Sequence, residues 1–135
     1  MPGQWPPPPA GKGKRVLLVE DDAALVALVS KALTANGYQV ETARDGVEGL
    51  TKLDSAPPNL VIIDVMMPQL DGMTFVRAIK GHRGTRHIPV IFLTAKSDSR
   101  SVVEGINLGA KFYITKPFSI DDLLSKVQRA LKSST

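Results

Sequence analysis

The stretch NLVIIDVMMPQLDG, residues 59–72, decides the fold. Its apolar run follows two prolines and ends at Asp64, and Pro68 and Gly72 then interrupt regular structure. A short continuous apolar run between turn-forming residues is typical of a strand that is buried on both faces of a parallel sheet. The pattern therefore predicts a central strand with Asp64 at its carboxyl end.

Apolar segments alternate with segments of helical periodicity along the rest of the chain. The other predicted strands are RVLLV, YQVETA, IPVIFL and KFYIT, and a predicted helix follows each of the five strands. In the first helix, after a cap at Asp22, the predicted apolar face contains Leu25, Leu28, Val29, Ala32 and Leu33. Gly49 is expected to loosen the second helix, and the fourth is expected to begin at Asp98 and end at Gly109. Such alternation predicts an α/β fold of three layers, with a five-stranded parallel sheet between helices.

Length and composition fit one domain without a membrane segment. The chain has 135 residues, no cysteine, no long apolar run and no amino-terminal signal pattern, so we expect a cytoplasmic protein. Residues 1–14 are rich in proline and glycine and are predicted to be a flexible tail. The folded domain is expected to span residues 15–132, followed by a short tail at residues 133–135.

The net charge of +4 is weak support for nucleic-acid binding. Lys12, Lys14 and Arg15 are clustered near the start, and the remaining chain without them has a net charge of only +1. We therefore expect no direct contact between the folded domain and nucleic acid.

The carboxyl ends of the predicted strands gather polar groups. Glu20 and Asp21 follow the first strand, Asp64 ends the third, Thr94 the fourth and Lys116 the fifth. Parallel strands end at one edge of the sheet, so these side chains are expected to converge there. Converging carboxylates repel one another unless a cation joins them, and an all-oxygen cluster suits Mg²⁺, with Mn²⁺ as an alternative. The sequence predicts a metal site that also accepts a phosphoryl group.

Four motifs together resemble the response-regulator receiver domain of bacterial two-component signalling. They are VLLVEDD, VIIDVMMPQLDG, LTA and YITKPF, and the intervals between their polar residues also fit that family. The resemblance implies a flavodoxin-like (βα)5 fold with strand order 2-1-3-4-5, similar to chemotaxis regulators.

The resemblance also implies a role for each clustered residue. Asp64 is the expected phosphoacceptor, and Lys116 is expected to support the phosphoryl oxygens. Asp21, Asp64 and the backbone carbonyl of Met66 are expected to bind Mg²⁺ directly, and Glu20 through water. The protein would then promote its own phosphorylation and dephosphorylation without being a dedicated enzyme.

A switch is implied for Thr94 and Tyr113. Phosphorylation is expected to draw Thr94 toward the phosphoryl group, so that the Tyr113 ring turns inward and reshapes the surface of the fourth helix, the fifth strand and the fifth helix. The same resemblance implies a cis peptide bond between Lys116 and Pro117.

The expected partners are a sensor histidine kinase or a histidine phosphotransfer protein, and a downstream protein target. The expected oligomeric state is a monomer or a phosphorylation-dependent dimer. Lys111 and Phe112 replace the paired acidic residues that many DNA-binding regulators have before the fifth strand, and this departure weakens the expectation of a salt-bridged dimer.

Three points stay open at the level of sequence. A receiver-fold module that binds partners without phosphorylation is an alternative, whereas a haloacid-dehalogenase-type phosphatase would need an aspartate where Met66 stands. The chain is either a single-domain regulator or one domain of a longer protein. The basic stretch RAIKGHRGTRH is predicted to be a solvated loop far from Asp64, with an acidic partner as the alternative.

Overall fold

The computed structural model describes residues 13–64, 72–95 and 109–133. Five strands form one parallel sheet in the order β2-β1-β3-β4-β5. The strands are β1 (Arg15–Val19), β2 (Gln39–Ala43), β3 (Leu60–Asp64), β4 (Val90–Ala95) and β5 (Phe112–Lys116). This order confirms the flavodoxin-like prediction and places β3 in the centre of the sheet.

Four helices lie within the described residues. They are α1 (Ala23–Ala35), α2 (Gly46–Ser55), α3 (Gly72–Gly81) and a last helix (Ile120–Ser133). The fourth predicted helix, including its cap Asp98, lies outside the described residues. Gly109, its expected end, has a φ of +107°, a conformation that glycine adopts without the penalty of a Cβ atom.

Aspartate caps fix where two helices begin. The Asp22 carboxylate accepts hydrogen bonds from the backbone N–H groups of Ala24 and Leu25 at 3.0 and 3.2 Å. The Asp45 carboxylate accepts from the N–H group of Glu48 at 2.8 Å. These bonds satisfy donors that a helix leaves unpaired in its first turn. They confirm the predicted cap at Asp22 and show that Asp45 caps α2 in the same way.

Two hydrophobic cores lie on opposite faces of the sheet. On one face, alternate strand residues such as Leu18 and Ile62 pack against α1 and the last helix. On the other face, the intervening residues such as Ile63 pack against α2 and α3 through Leu53 and Phe75. Successive residues of a strand point to opposite faces, so the apolar run of β3 is buried on both sides as predicted.

Leu28 is placed differently from its prediction, and Gly49 has a role that was not predicted. Leu28, expected in the apolar face of α1, is 51% exposed, because the face that meets the sheet passes through Val29 and Leu33. Gly49 lies where α2 packs against Phe75 of α3. A Cβ atom at this position would lie 2.8 Å from the Phe75 ring, so the glycine permits close approach of α2 to α3.

No helix in the described ranges is both long enough and apolar enough to cross a membrane.

Candidate functional site

The site lies at the carboxyl edge of the sheet, where the neighbouring strands β1 and β3 end. Glu20 directly follows β1, and Asp64 is the last residue of β3. Both residues are buried, since Glu20 is 1% exposed and Asp64 is 7% exposed. Parallel pairing of β1 with β3 brings these two carboxylates to the same edge, as the sequence predicted.

Lys116 joins the two buried carboxylates. Its ammonium group donates a hydrogen bond to Oδ2 of Asp64 at 2.8 Å and to Oε1 of Glu20 at 3.0 Å. The residue reaches them from the end of β5, two strands away from β3 in the sheet. The burial of this lysine would by itself lower its pKa, but the hydrogen bonds and charges of Asp64 and Glu20 outweigh that effect and raise the pKa. The ammonium therefore stays charged at neutral pH.

Glu20 is held from both sides. Its Oε2 atom accepts hydrogen bonds from the backbone N–H groups of Asp21 and Asp22 at 3.0 and 3.1 Å, while Oε1 accepts from Lys116. Burial nevertheless raises the pKa of Glu20 from 4.5 to about 7, with the negative charge of Asp64 adding to the effect. One lysine thus does not compensate fully for two buried carboxylates.

The side chains available at this edge fit a divalent cation. Glu20, Asp21 and Asp64 each offer a carboxylate oxygen, and the three oxygens lie within 4.8 Å of one another. Asp21 is exposed, so this group of oxygens opens toward solvent. Magnesium prefers oxygen ligands and keeps several waters. A divalent cation, in addition to Lys116, would relieve the repulsion between the carboxylates of Glu20 and Asp64.

The other predicted site residues have different placements. Thr94 is buried at the end of β4, where it pairs in register with Thr115 of β5. Tyr113 is 42% exposed. Met66 lies outside the described residues.

Two features near β5 bear on the sequence predictions. The Lys116-Pro117 peptide bond is cis, as the resemblance implied. Phe112 is half-buried against the core on that face, and the guanidinium group of Arg129 lies 5.1 Å from the centre of its ring. This contact is within the range of a cation–π interaction, so Phe112 packs within its own domain.

The ion pair between Lys116 and Glu20 is the feature that sequence reasoning missed. The motifs placed both residues at one edge, but the resemblance assigned Glu20 to the metal and Lys116 to the phosphoryl group. Which carboxylates a lysine reaches depends on the spacing of β1, β3 and β5, and no local pattern in the sequence contains that information.

Comparison with known proteins gives close relatives and similar structures. The transcriptional regulatory protein TrcR of Mycobacterium tuberculosis is 38% identical over 125 residues, which make up 93% of this chain and 48% of TrcR. The receiver domain of a signal transduction histidine kinase from Syntrophus aciditrophicus is 40% identical, with a TM-score of 0.83 over 90% of this chain and 92% of that one. Chemotaxis protein CheY4 of Vibrio cholerae is 36% identical, with a TM-score of 0.81 over 87% of this chain and 98% of that one.

The family assignment rests on most of the chain. Residues 16–128 match the family described as response regulator receiver domain. The chain spans about half the length of the curated relatives it matches. It belongs to the response regulator receiver domain family of two-component signalling.

Proposed function

We propose that this receiver domain, comprising residues 15–132 between two short tails, accepts a phosphoryl group on Asp64 and thereby changes its affinity for a protein target. The observation that carries the proposal is the contact of the Lys116 ammonium with Asp64 and Glu20 at 2.8 and 3.0 Å. A buried carboxylate in contact with a cation, at the open edge of a parallel sheet, is suited to attack a phosphoryl group.

In the proposed reaction, an Asp64 carboxylate oxygen attacks the phosphorus of a phosphohistidine on the partner. The new O–P bond forms as the P–N bond breaks, and the histidine nitrogen keeps the electron pair of that bond and takes up a proton. Lys116 offsets the negative charge that the two reactants bring together, so its role is electrostatic and it does not act as a base. The product is an aspartyl phosphate.

The proposed metal ligands are Asp21 and Asp64, with Glu20 acting through water and Met66 through its backbone carbonyl. When bound, Mg²⁺ would supply positive charge to the equatorial phosphoryl oxygens. The proposal is supported by the three carboxylate oxygens that lie within 4.8 Å of one another. Glu20 is fixed by two backbone N–H groups, and this anchoring suits a residue that orients water without moving.

The proposed output is a change of surface around β5. Thr94, buried at the end of β4, would shift toward the phosphoryl group, and the Tyr113 ring, now 42% exposed, would turn inward. The responding surface would comprise the predicted fourth helix, β5 and the last helix. Two packings of similar free energy would suffice, because one added charge can then bias the balance between them.

The proposed partners are a sensor histidine kinase or a histidine phosphotransfer protein, and one downstream protein. The domain would act as a phosphoacceptor switch that promotes its own phosphorylation and dephosphorylation, in the cytoplasm and without contacting nucleic acid itself. It would be a monomer, or a dimer formed on phosphorylation.

Intact mass spectrometry tests the proposal directly. The protein is incubated with Mg²⁺ and acetyl phosphate or phosphoramidate, in parallel with Asp64→Asn and with Asp54→Asn, a matched change at an exposed carboxylate on α2. The parent and Asp54→Asn should gain one phosphoryl group that hydroxylamine removes, whereas Asp64→Asn should gain none. Failure of the correctly folded parent to form the adduct would instead support a receiver-fold module that binds partners without phosphorylation.

A further inference from the structure

Positive charge gathers at the edge of the sheet opposite the candidate site. Lys14 precedes β1, Lys111 precedes β5, and the turn of residues 82–87, which leads to β4, contains Arg83 and Arg86. Hydrogen bonds between strand ends, such as the one from the N–H group of Lys111 to the Val90 carbonyl at 2.8 Å, fix these segments at one edge. The length of β3 separates this edge from Asp64 by about 13 Å.

The turn of residues 82–87 is held in one conformation. The Thr85 hydroxyl donates a hydrogen bond to the Ile79 carbonyl at 2.8 Å, which ties the turn to the end of α3. The Lys80 ammonium donates to the carbonyls of Arg86 and Ile88 at 3.0 and 3.1 Å and closes the turn from the other side. The turn therefore presents its side chains from a fixed backbone, which lowers the entropy lost on binding a partner.

Exposed positive charge is concentrated on this turn. Arg83, Arg86 and His87 are exposed, and among the residues that the structure describes none of them has an ion-pair partner. Burial lowers the pKa of the neighbouring Lys80, and the positive charge of Lys111 lowers it further. Like charges thus lie close together at this edge, and an anionic partner would relieve their repulsion.

An apolar groove lies beside the basic turn. It runs between the ends of α2 and α3, has a volume of about 500 Å³, and is bordered by His82 and Thr85 of the turn. Its lining includes the apolar residues Leu50, Leu53 and Ala78. It also includes the exposed carboxylate of Asp54 on α2, so that an acidic partner would gain its charge contacts from the turn and not from the groove. Apolar side chains next to exposed arginines offer two different kinds of contact within one surface.

We propose that the groove between α2 and α3, together with the basic turn of residues 82–87, docks an acidic protein segment that carries an apolar anchor residue. The apolar anchor would fill the groove, and flanking Asp or Glu side chains would pair with Arg83 and Arg86. A nucleic acid fits less well, since phosphates make no use of apolar lining residues and no Phe, Tyr or Trp side chain lines the described groove for base stacking. This site is separate from Asp64 and does not depend on phosphorylation.

The test uses a random-sequence peptide library displayed on phage and selected on the whole immobilised protein, without Mg²⁺ or a phosphodonor. Selection is repeated on the double variant Arg83→Glu/Arg86→Glu. A matched double variant, Lys31→Glu/Arg44→Glu, makes the same change of charge at exposed positions on α1 and after β2, away from the groove. Circular dichroism and urea unfolding establish that all three proteins fold equally well.

The expected result is enrichment of acidic peptides that contain a large apolar residue, on the parent and on the matched control but not on Arg83→Glu/Arg86→Glu. For one enriched peptide, fluorescence anisotropy should show affinity about tenfold weaker for that variant and weaker at higher salt. Replacing the apolar residue of the peptide by serine should also weaken binding.

Three outcomes would overturn the proposal. The first is no enrichment of acidic peptides on the parent. The second is an equal loss of binding for both double variants, which would indicate a general charge effect. The third is tighter binding of a duplex DNA oligonucleotide than of any selected peptide, which would assign this edge to nucleic acid. None of these outcomes affects the assay for adduct formation at Asp64. The docking proposal and the proposed function are therefore tested independently.

Discussion

The raised pKa of Glu20 predicts an unusual dependence of stability on pH in the protein without metal. Glu20 is 1% exposed, and burial raises its pKa from 4.5 to about 7. The folded protein then holds a proton that the unfolded chain has already released, so this group favours folding at low pH and loses that contribution as pH rises through 7. Between about pH 5.5 and about pH 8.5 the free energy of unfolding should fall by about 2 kcal/mol from this residue.

Magnesium should reverse the loss. If the cation binds as proposed, it would bind the carboxylates in their charged form and only in the folded cluster, and it would stabilise the folded state more at high pH than at low pH. Millimolar Mg²⁺ should therefore recover much of the stability at about pH 8.5 and little at about pH 5.5. Removing Mg²⁺ with a chelator should restore the original pH dependence.

Urea unfolding followed by circular dichroism measures both effects. Glu20→Gln keeps an oxygen that accepts from the backbone N–H groups of Asp21 and Asp22 but cannot titrate, so its stability should change much less over this pH range. Glu41→Gln, a matched change at an exposed carboxylate on β2, should leave the pH dependence as in the parent. If parent and Glu20→Gln lose the same free energy between the two pH values, Glu20 is not the titrating group and the reasoning is wrong.

Two further predictions concern stability alone. Gly49→Ala should destabilise the protein by about 1 kcal/mol, because the gain in helix propensity is smaller than the strain of a Cβ atom placed 2.8 Å from Phe75 and 3.1 Å from Val19. Gly81→Ala, which meets no atom within 4 Å, should be neutral or stabilising, and equal urea midpoints for the two variants would contradict the steric argument. Asp22→Ala should lower the free energy of unfolding by about 1 kcal/mol through loss of the α1 cap, whereas Asp22→Asn should lose less in the same assay.

Local patterns were sufficient to predict the five strands of a parallel sheet, whereas their order was implied by the family resemblance. The apolar run of β3 and the periodic segments around it are consequences of burial on two faces, and burial acts on every residue of a strand or helix. Leu28 was predicted wrongly because helical spacing defines an apolar face only to within about one residue, and tertiary packing decides where that face ends.

The site was predictable as a set of residues but not as a set of contacts. The strand ends identified Glu20, Asp64 and Lys116, because chemistry in parallel sheets gathers at the carboxyl edge. The bonds from Lys116 to both carboxylates, and the two backbone N–H groups that hold Glu20, depend on distances between strands that are remote in sequence. The close approach of Phe75 to Gly49 was not predictable for the same reason.

The position of β3 in the centre of the sheet has a dynamic consequence. β3 pairs with a neighbour on each side and all five of its residues are buried, whereas β5 lies at an edge and pairs with β4 only. Amide hydrogen exchange should therefore be slowest around Asp64 and faster along the strand that carries Lys116. Asp64, the proposed acceptor, would then lie on the most protected strand, and Lys116, which contacts it, on a less protected one. A change of charge at Asp64 should therefore alter the mobility of β5 more than that of β3.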